Sequence, residues 1–302
     1  MAIYGINGNA LTRTYSKSGN INIAYNRSGD AIFSDGVIPE IPEIPAWDYT
    51  SYTVSDLFQY GIAKAQGFAI YDGKIAQVRE EDSLHIVDIA THTSLRHVAM
   101  DMGHGNSCQF SDEFYDANDE FPLFYIRNTG VWVYRIVGTE STLIRKYKFP
   151  TSDVYTYVAG FGVDSANNRL YTVSYTEGDY ISKTGQLCVC KYDMGNVTDN
   201  GDGTLTMALL RRNTFPWFDR YNALQGCCYK NGYLFVATGY TGNSNQDIVM
   251  IDKRTLAITN TIALGQGNEI EGCAWVDDDY LVVGQKINYL TYKKVEFAQA
   301  EE

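Results

Sequence analysis

A short motif, two apolar runs folded about a turn, recurs five times and sets the period of the chain. The clearest copy is residues 224–238, where the two runs flank Asn231 and Gly232. Each copy carries a small residue early in its first run, and these residues are spaced 40, 53, 66 and 46 positions apart: Gly67, Ser107, Gly160, Gly226 and Gly272. Repeats of about this length, built from short strands, are typical of a β-propeller with one four-stranded sheet per blade.

The sequence therefore predicts an all-β fold, a five-bladed β-propeller over residues 47–302. In its first blade, strands are expected near residues 66–71, 74–79, 84–89 and 94–99. The last blade lacks an outer strand after residues 289–297, and we expect residues 49–54 to supply it. Such a closure removes the sheet edges that otherwise invite aggregation. Helical candidates are few and short, such as residues 55–60.

Residues 1–36 contain a second, smaller repeat, with units that begin at Tyr4, Tyr15 and Tyr25. Each unit places glycine followed by Asn or Asp between short alternating runs, which is the chemistry of tight turns between strands. Three such units cannot bury a core alone. This β-rich attachment segment is therefore either a flexible tail or a region that folds on a partner or on copies of itself.

Proline then recurs at every third position, at Pro39, Pro42 and Pro45. This spacing matches the three-residue turn of polyproline II and predicts a semi-rigid linker over residues 37–46. A linker that holds two parts of a chain apart indicates an attachment end and a working end.

Composition excludes several classes of partner. The net charge is -12 and no basic patch is present, which argues against nucleic acid and against an anionic membrane surface. The start lacks a classical signal peptide, and no apolar run is long enough to cross a bilayer. The expectation is a soluble protein without membrane insertion.

The six cysteines lie in strand-like runs and are expected to be buried free thiols. Their spacing is not a zinc pattern, and no nucleotide, phosphate-loop or zinc-protease motif occurs, so we expect neither a metal nor a cofactor. The run Asp199 to Gly203 suggests calcium, but it lacks the downstream Glu of a calcium loop and favours a hairpin turn.

Propeller geometry predicts which loops share a face. Four polar residues precede the small residue of their copies and would meet at the mouth of a central channel, where they could bind a ligand, a metal or, by default, only ordered water. Neighbouring loops add aromatic rings beside acids and amides. Rings with polar partners suit a sugar, although any single Tyr more often packs between blades. The predicted ligand-binding residues are Trp217, Asp219, Arg220, Tyr221, Asp101, His104, Asn106, Tyr155, Gln66, Gln225 and Glu271.

An enzyme of the same architecture is the alternative, because glycoside hydrolysis needs two carboxylates at a fixed separation. The candidates on the predicted face are Asp101, Asp153, Asp219, Glu269 and Glu271. The sequence leaves the catalytic residues unassigned, and a binding protein is favoured over a hydrolase.

Two resemblances bear on function. The inner-strand pairs Gln66-Gly67, Gln225-Gly226 and Glu271-Gly272 are similar to those of bacterial glutamine cyclotransferase propellers and other quinoprotein-like repeats. No catalytic residue is carried over, because only the repeat matches. The Tyr units of residues 1–36 resemble the N-terminal repeats of tail-fibre and tail-associated proteins of gut bacteriophages and prophages. That resemblance implies attachment through the N-terminus and presentation of a β-rich domain to a host surface.

The sequence thus predicts a binding protein of a virion tail or an extracellular surface, whose propeller recognises a cell-surface glycan or polysaccharide. Residues 1–36 would contact other virion or surface proteins, and a homo-oligomer is left open. Two alternatives remain, a polysaccharide-degrading glycoside hydrolase and a non-catalytic scaffold for protein contacts.

Overall fold

The computed structural model divides the chain into two units, Met1–Ile44 and Pro45–Glu302. It describes the following residues, to which all structural statements refer: 3–4, 10–15, 21–25, 47–80, 83–102, 105–150, 157–175, 186–216, 223–239, 244–267, 269–286 and 290–300.

The first unit contains a three-stranded antiparallel sheet in the order β1-β2-β3. Its strands are β1 (Ile3–Tyr4), β2 (Ala10–Tyr15) and β3 (Ile21–Tyr25). They fall between the predicted Gly-Asn turns, as expected for strands a few residues long. The turn residues and the proline-rich linker lie outside the described residues.

The second unit is built mainly from antiparallel strands that pair with their neighbours along the chain. The first sheet, β5-β6-β7-β8, matches the four predicted strands of the first blade within one residue. Its strands are β5 (Ala65–Tyr71), β6 (Lys74–Arg79), β7 (Ser83–Asp88) and β8 (Ser94–Ala99). The others are β4 (Trp47–Tyr60), β9 (Cys108–Phe110), β10 (Phe124–Arg127), β11 (Val131–Val137), β12 (Glu140–Lys148), β13 (Tyr157–Asp164), β14 (Arg169–Tyr175), β15 (Gln186–Asp199), β16 (Leu205–Pro216), β17 (Leu224–Lys230), β18 (Tyr233–Thr238), β19 (Ser244–Asp252), β20 (Ile258–Gly267), β21 (Ile270–Val276), β22 (Tyr280–Lys286) and β23 (Leu290–Gln299).

These strands form five four-stranded groups. Three are separate sheets, β5 to β8, β17 to β20, and β21-β22-β23-β4. The groups β9 to β12 and β13 to β16 join into one eight-stranded sheet, because β12 and β16 pair in parallel at Tyr147 with Leu205 and at Lys148 with Thr206. Within each group neighbouring strands are antiparallel, and in the first four groups they follow one another along the chain.

Local turn chemistry fixes the register of the first hairpin in two of the groups. Asp72 and Gly73 have φ values of 47° and 67°, and Asn231 and Gly232 have 48° and 83°. Two consecutive positive φ values define the type I′ turn, whose twist matches that of the flanking strands. We call the first strand of each group its inner strand. The inner strands β5 and β17 are therefore followed directly by their antiparallel partners, β6 and β18.

The N-terminal strand closes the last group, as the sequence predicted. β4 pairs with β23 along its length, from Tyr60 opposite Leu290 to Trp47 opposite Gln299. Residues 55–60, a short helical candidate in the sequence, are part of this strand. Their backbone groups pair with β23, which stabilises an extended conformation over a single helical turn.

Five apolar cores lie between successive groups. One contains Leu84 and Tyr134, from the first and second groups, and another contains Phe68 and Tyr292, from the first and last. The remaining three join the second to the third, the third to the fourth and the fourth to the fifth. The inner strands β5, β17 and β21 are almost wholly buried, whereas β8 at the outer edge is largely exposed. This gradient from buried inner strands to exposed outer strands is propeller-like.

All six cysteines are buried free thiols. Cys228 and Cys273 bring their sulfur atoms within 3.8 Å of each other across two neighbouring groups. Burial raises the pKa of the Cys108 and Cys227 thiols well above the ordinary range, so they pack as small apolar side chains.

Candidate functional site

Four polar residues lie at, or just before, the start of the inner strands, at one end of the propeller-like fold. Each precedes the small residue of its repeat. All four are buried, with individual exposed fractions between 1% and 8%: Gln66, Asn106, Gln225 and Glu271. Asn106 Nδ2 donates a hydrogen bond of 2.8 Å to Gln225 Oε1, although the two residues are 119 positions apart. The repeat position predicted this meeting.

Two charged residues extend this polar cluster. Gln225 Nε2 donates to Glu269 Oε1 at 3.0 Å. Lys286 Nζ lies 2.9 Å from Glu271 Oε1 and also donates to the carbonyl of Ala65 at 3.3 Å. We call Gln66, Asn106, Gln225, Glu269, Glu271 and Lys286 the axial cluster. The sequence analysis missed Lys286, which ends β22 and reaches the cluster because β22 runs antiparallel to β21.

Glycine allows the inner strands to approach closely below the axial cluster. A methyl group at Gly67 would lie 2.4 Å from the carbonyl oxygen of Asn106, and one at Gly226 would lie 2.6 Å from Gly272 Cα. No side chain fits at such distances. Glycine is therefore required at positions 67 and 226 for this backbone approach, which brings the preceding polar residues together.

Burial makes Glu271 a weak acid. Desolvation, followed by the negative charge of Glu269, raises the pKa of Glu271 to about 7, and these effects outweigh the opposing pull of Lys286. A carboxyl group with a pKa near neutrality can exchange a proton at physiological pH, as general acids and bases do.

Several amide atoms of this region are buried without a partner among the described residues. They are Gln66 Oε1, Asn106 Oδ1 and Gln285 Nε2, from side chains of residues at most 8% exposed. A buried polar group without a hydrogen bond costs about 1–3 kcal/mol. Such atoms indicate a ligand or ordered water that completes their hydrogen bonds.

Of the other predicted site residues, the structure describes only Asp101. Asp101 is exposed, and its carbonyl accepts a short hydrogen bond from the hydroxyl of Tyr134. His104, Tyr155, Trp217, Asp219, Arg220 and Tyr221 lie outside the described residues. Asp153, an additional hydrolase candidate, also lies outside them.

The calcium-like run is a hairpin turn between β15 and β16. Asp202 Oδ1 accepts from the backbone N–H of Thr204 at 3.0 Å, and Lys148 Nζ lies 3.0 Å from Asp202 Oδ2. Within the described ranges, no three His, Cys, Asp or Glu residues are grouped to hold a metal ion. The same ranges contain no helix long and apolar enough to span a membrane.

Stability is expected to fall as pH rises from about 4.5 to 7, because the folded state binds the Glu271 proton more tightly than the unfolded chain. The stabilisation is complete below the ordinary pKa of 4.5 and is lost as pH passes the folded value of about 7. At about 1.4 kcal/mol per pKa unit, the loss is on the order of 3 kcal/mol.

Urea unfolding at pH 5 and pH 8 measures this dependence. We expect Glu271→Gln to remove most of the difference between the two pH values. Glu296→Gln, at an exposed glutamate of β23, should leave it unchanged. Equal pH dependence in the wild type and Glu271→Gln would contradict the prediction.

Comparison with known proteins identifies the fold alone. No family model and no curated protein matches the chain. Glutaminyl cyclase from Myxococcus xanthus is structurally similar, with a TM-score of 0.50 and 12% identity over 82% of this chain and 97% of that chain. A chain of hydrazine synthase from Kuenenia stuttgartiensis has a TM-score of 0.41 and 12% identity over 75% of this chain and 57% of that chain. The similarity to the cyclase agrees with a propeller-like all-β fold.

Proposed function

We propose that this chain is a phage tail-associated or surface binding protein, and that residues 47–302 form a five-bladed β-propeller that recognises a cell-surface glycan. The five four-stranded groups and the five cores between them support this number of blades. Residues 1–36 attach the chain to other virion or surface proteins, and the proline-rich linker projects the propeller.

The unsatisfied amides of the axial cluster carry the proposal. Gln66 Oε1 and Asn106 Oδ1 are acceptors that have no partner among the described residues, and Lys286 Nζ adds a donor beside Glu271. A polyhydroxylated ligand offers donors and acceptors at neighbouring carbons and completes such a set. The chain's net charge of -12 disfavours strongly anionic ligands, so neutral glycans fit best.

Affinity electrophoresis in gels containing capsular and plant polysaccharides tests the proposal. We expect at least one neutral polysaccharide to retard the wild type. Gln66→Leu keeps the volume of the side chain but loses its amide, and should weaken binding about tenfold, the effect of one well-placed hydrogen bond. The matched control is Gln299→Leu, at an exposed glutamine that ends β23.

Retardation by no polysaccharide would refute glycan recognition and favour the scaffold for protein contacts. Equal retardation of Gln66→Leu and the wild type would place glycan binding elsewhere on the propeller. Weaker retardation of Gln66→Leu counts as support only if this variant unfolds at a temperature near that of the wild type.

A hydrolase is the second candidate, and the pKa of about 7 for Glu271 beside Glu269 favours it. Glycoside hydrolysis pairs a carboxyl group that stays protonated with a second, ionised carboxylate. Assaying the same samples for released reducing ends separates the two functions. An enzyme would lose turnover in Glu271→Gln while keeping retardation, whereas a binding protein has no turnover to lose. A peptide with an N-terminal glutamine belongs in the assay, because the similar Myxococcus xanthus protein is a glutaminyl cyclase.

A further inference from the structure

The inner strands end in a cavity on the side opposite the axial cluster. Its volume is about 360 Å³, near the lower limit for sites that bind small molecules. Four of the five inner strands contribute to its walls, namely β5, β9, β17 and β21. The sequence places mainly turn residues at this end, at positions 72–73, 230–232 and 277–279.

Aromatic rings form much of the wall, and their neighbours hold them in place. Tyr71 contacts Phe114 edge to face at 5.9 Å. Tyr229 stacks on Tyr171 at 5.7 Å, with 10° between the ring planes. Trp275 packs on Phe297 behind the cavity. Rings fixed by such contacts lose little entropy when a ligand binds.

Polar groups alternate with the rings. Asp112 uses one carboxylate oxygen to accept from Ser165 Oγ at 2.9 Å, and the exposed Asp277 lies at the turn after β21. Lys230 also lines the cavity and pairs with Asp278 at 2.7 Å. Gln109 is already satisfied, because its amide bonds both backbone groups of Val163.

The indole N–H of Trp275 has no hydrogen-bond partner in the described structure, although the residue is only 7% exposed. An unpaired buried donor in a residue that lines a cavity favours a ligand with a hydrogen-bond acceptor. An apolar ligand would leave this donor unpaired and would cover the carboxylates of Asp112 and Asp277. A phosphate group would be repelled by the same two carboxylates.

We propose that this cavity binds one neutral sugar unit. The C–H face of the sugar lies against the rings of Tyr71 and Tyr229. One sugar oxygen accepts from the indole N–H of Trp275, and the hydroxyls donate to Asp112 and Asp277. The site shares no residue with the axial cluster and does not depend on glycan binding there. If both sites bind, the propeller contacts glycans at its two ends. Two sites that bind the same polysaccharide raise the overall avidity of the protein for it.

Indole N–H resonances report directly on Trp275. The full chain, labelled with ¹⁵N-tryptophan, is titrated separately with glucose, galactose, mannose, rhamnose and N-acetylglucosamine. We expect at least one sugar to shift the Trp275 signal, which is assigned with Trp275→Phe or, should that variant not fold, by triple-resonance spectra. Asp277→Asn should weaken this sugar about tenfold, since it removes one charged acceptor.

Asp279→Asn is the matched control, because Asp279 lies in the same exposed turn but does not line the cavity, and it should bind like the wild type. Gln66→Leu should also leave the Trp275 shift unchanged, which separates this site from the axial cluster. No shift with any of the five sugars, or equal affinity in Asp277→Asn and Asp279→Asn, would overturn the proposal. A shift with tetramethylammonium but none with the sugars would identify a cation site instead.

Discussion

Gly226→Ala is expected to destabilise the propeller by about 3 kcal/mol, at the upper end of the usual cost of overpacking. The added methyl group would lie 2.6 Å from Gly272 Cα and 3.0 Å from the carbonyl oxygen of Asn106. Both are backbone atoms, so the clash is relieved only by moving an inner strand. The expected fall in Tm is about 6–12 °C for a domain of this size, measured by thermal unfolding and checked in urea.

Gly272→Ala provides the matched control at the same position of the next repeat. Its methyl group would meet Gly67 Cα at 3.5 Å, which is ordinary van der Waals contact. Neither glycine has a positive φ, so the backbone accepts alanine at both sites and only the local space differs. We expect Gly272→Ala to change stability by less than about 1 kcal/mol. Equal losses in the two variants would mean that the strands do not approach as closely as described.

The repeat made much of this architecture predictable from sequence. Each copy combines a turn with two apolar runs, and both features act locally, which is why the strands of the first group agree within one residue. The position before each small residue likewise predicted the contact of Asn106 with Gln225. In a propeller-like fold the inner strands surround one axis, so equivalent positions of the repeat meet there whatever their separation in sequence.

What the sequence did not predict depends on contacts between distant segments. Residues 55–60 were a helical candidate in the sequence, but they form a strand because their backbone pairs with β23. Lys286 occupies no repeat position and enters the axial cluster only through the antiparallel return of β22. The rings of the opposite cavity are single residues at the ends of different strands, and no local pattern distinguishes Tyr71 or Tyr229 from ordinary core residues.

A chain of residues 61–302 is expected to lose cooperative unfolding, whereas residues 45–302 should retain it. Removal of β4 takes a whole strand from the last sheet and exposes the edge of β23, which invites aggregation. It also removes Tyr49, which is 6% exposed and packs edge to face on Phe235 and Phe297. Loss of one such ring alone costs about 3 kcal/mol or more, comparable with a large part of a domain's net stability.

β4 also forms hydrogen bonds to β20 of the fourth group. It therefore stabilises two groups, not only the last sheet. Asn260 Nδ2 donates to the carbonyl of Tyr49 at 2.6 Å, and the N–H of Ala263 donates to the hydroxyl of Tyr52 at 2.9 Å. Tyr49→Ala should therefore lower Tm within an otherwise intact chain of residues 45–302, measured by circular dichroism. If residues 61–302 unfolded at the same temperature as residues 45–302, the ring would be stable without β4. The cores between the groups, and not the closing strand, would then hold the propeller together.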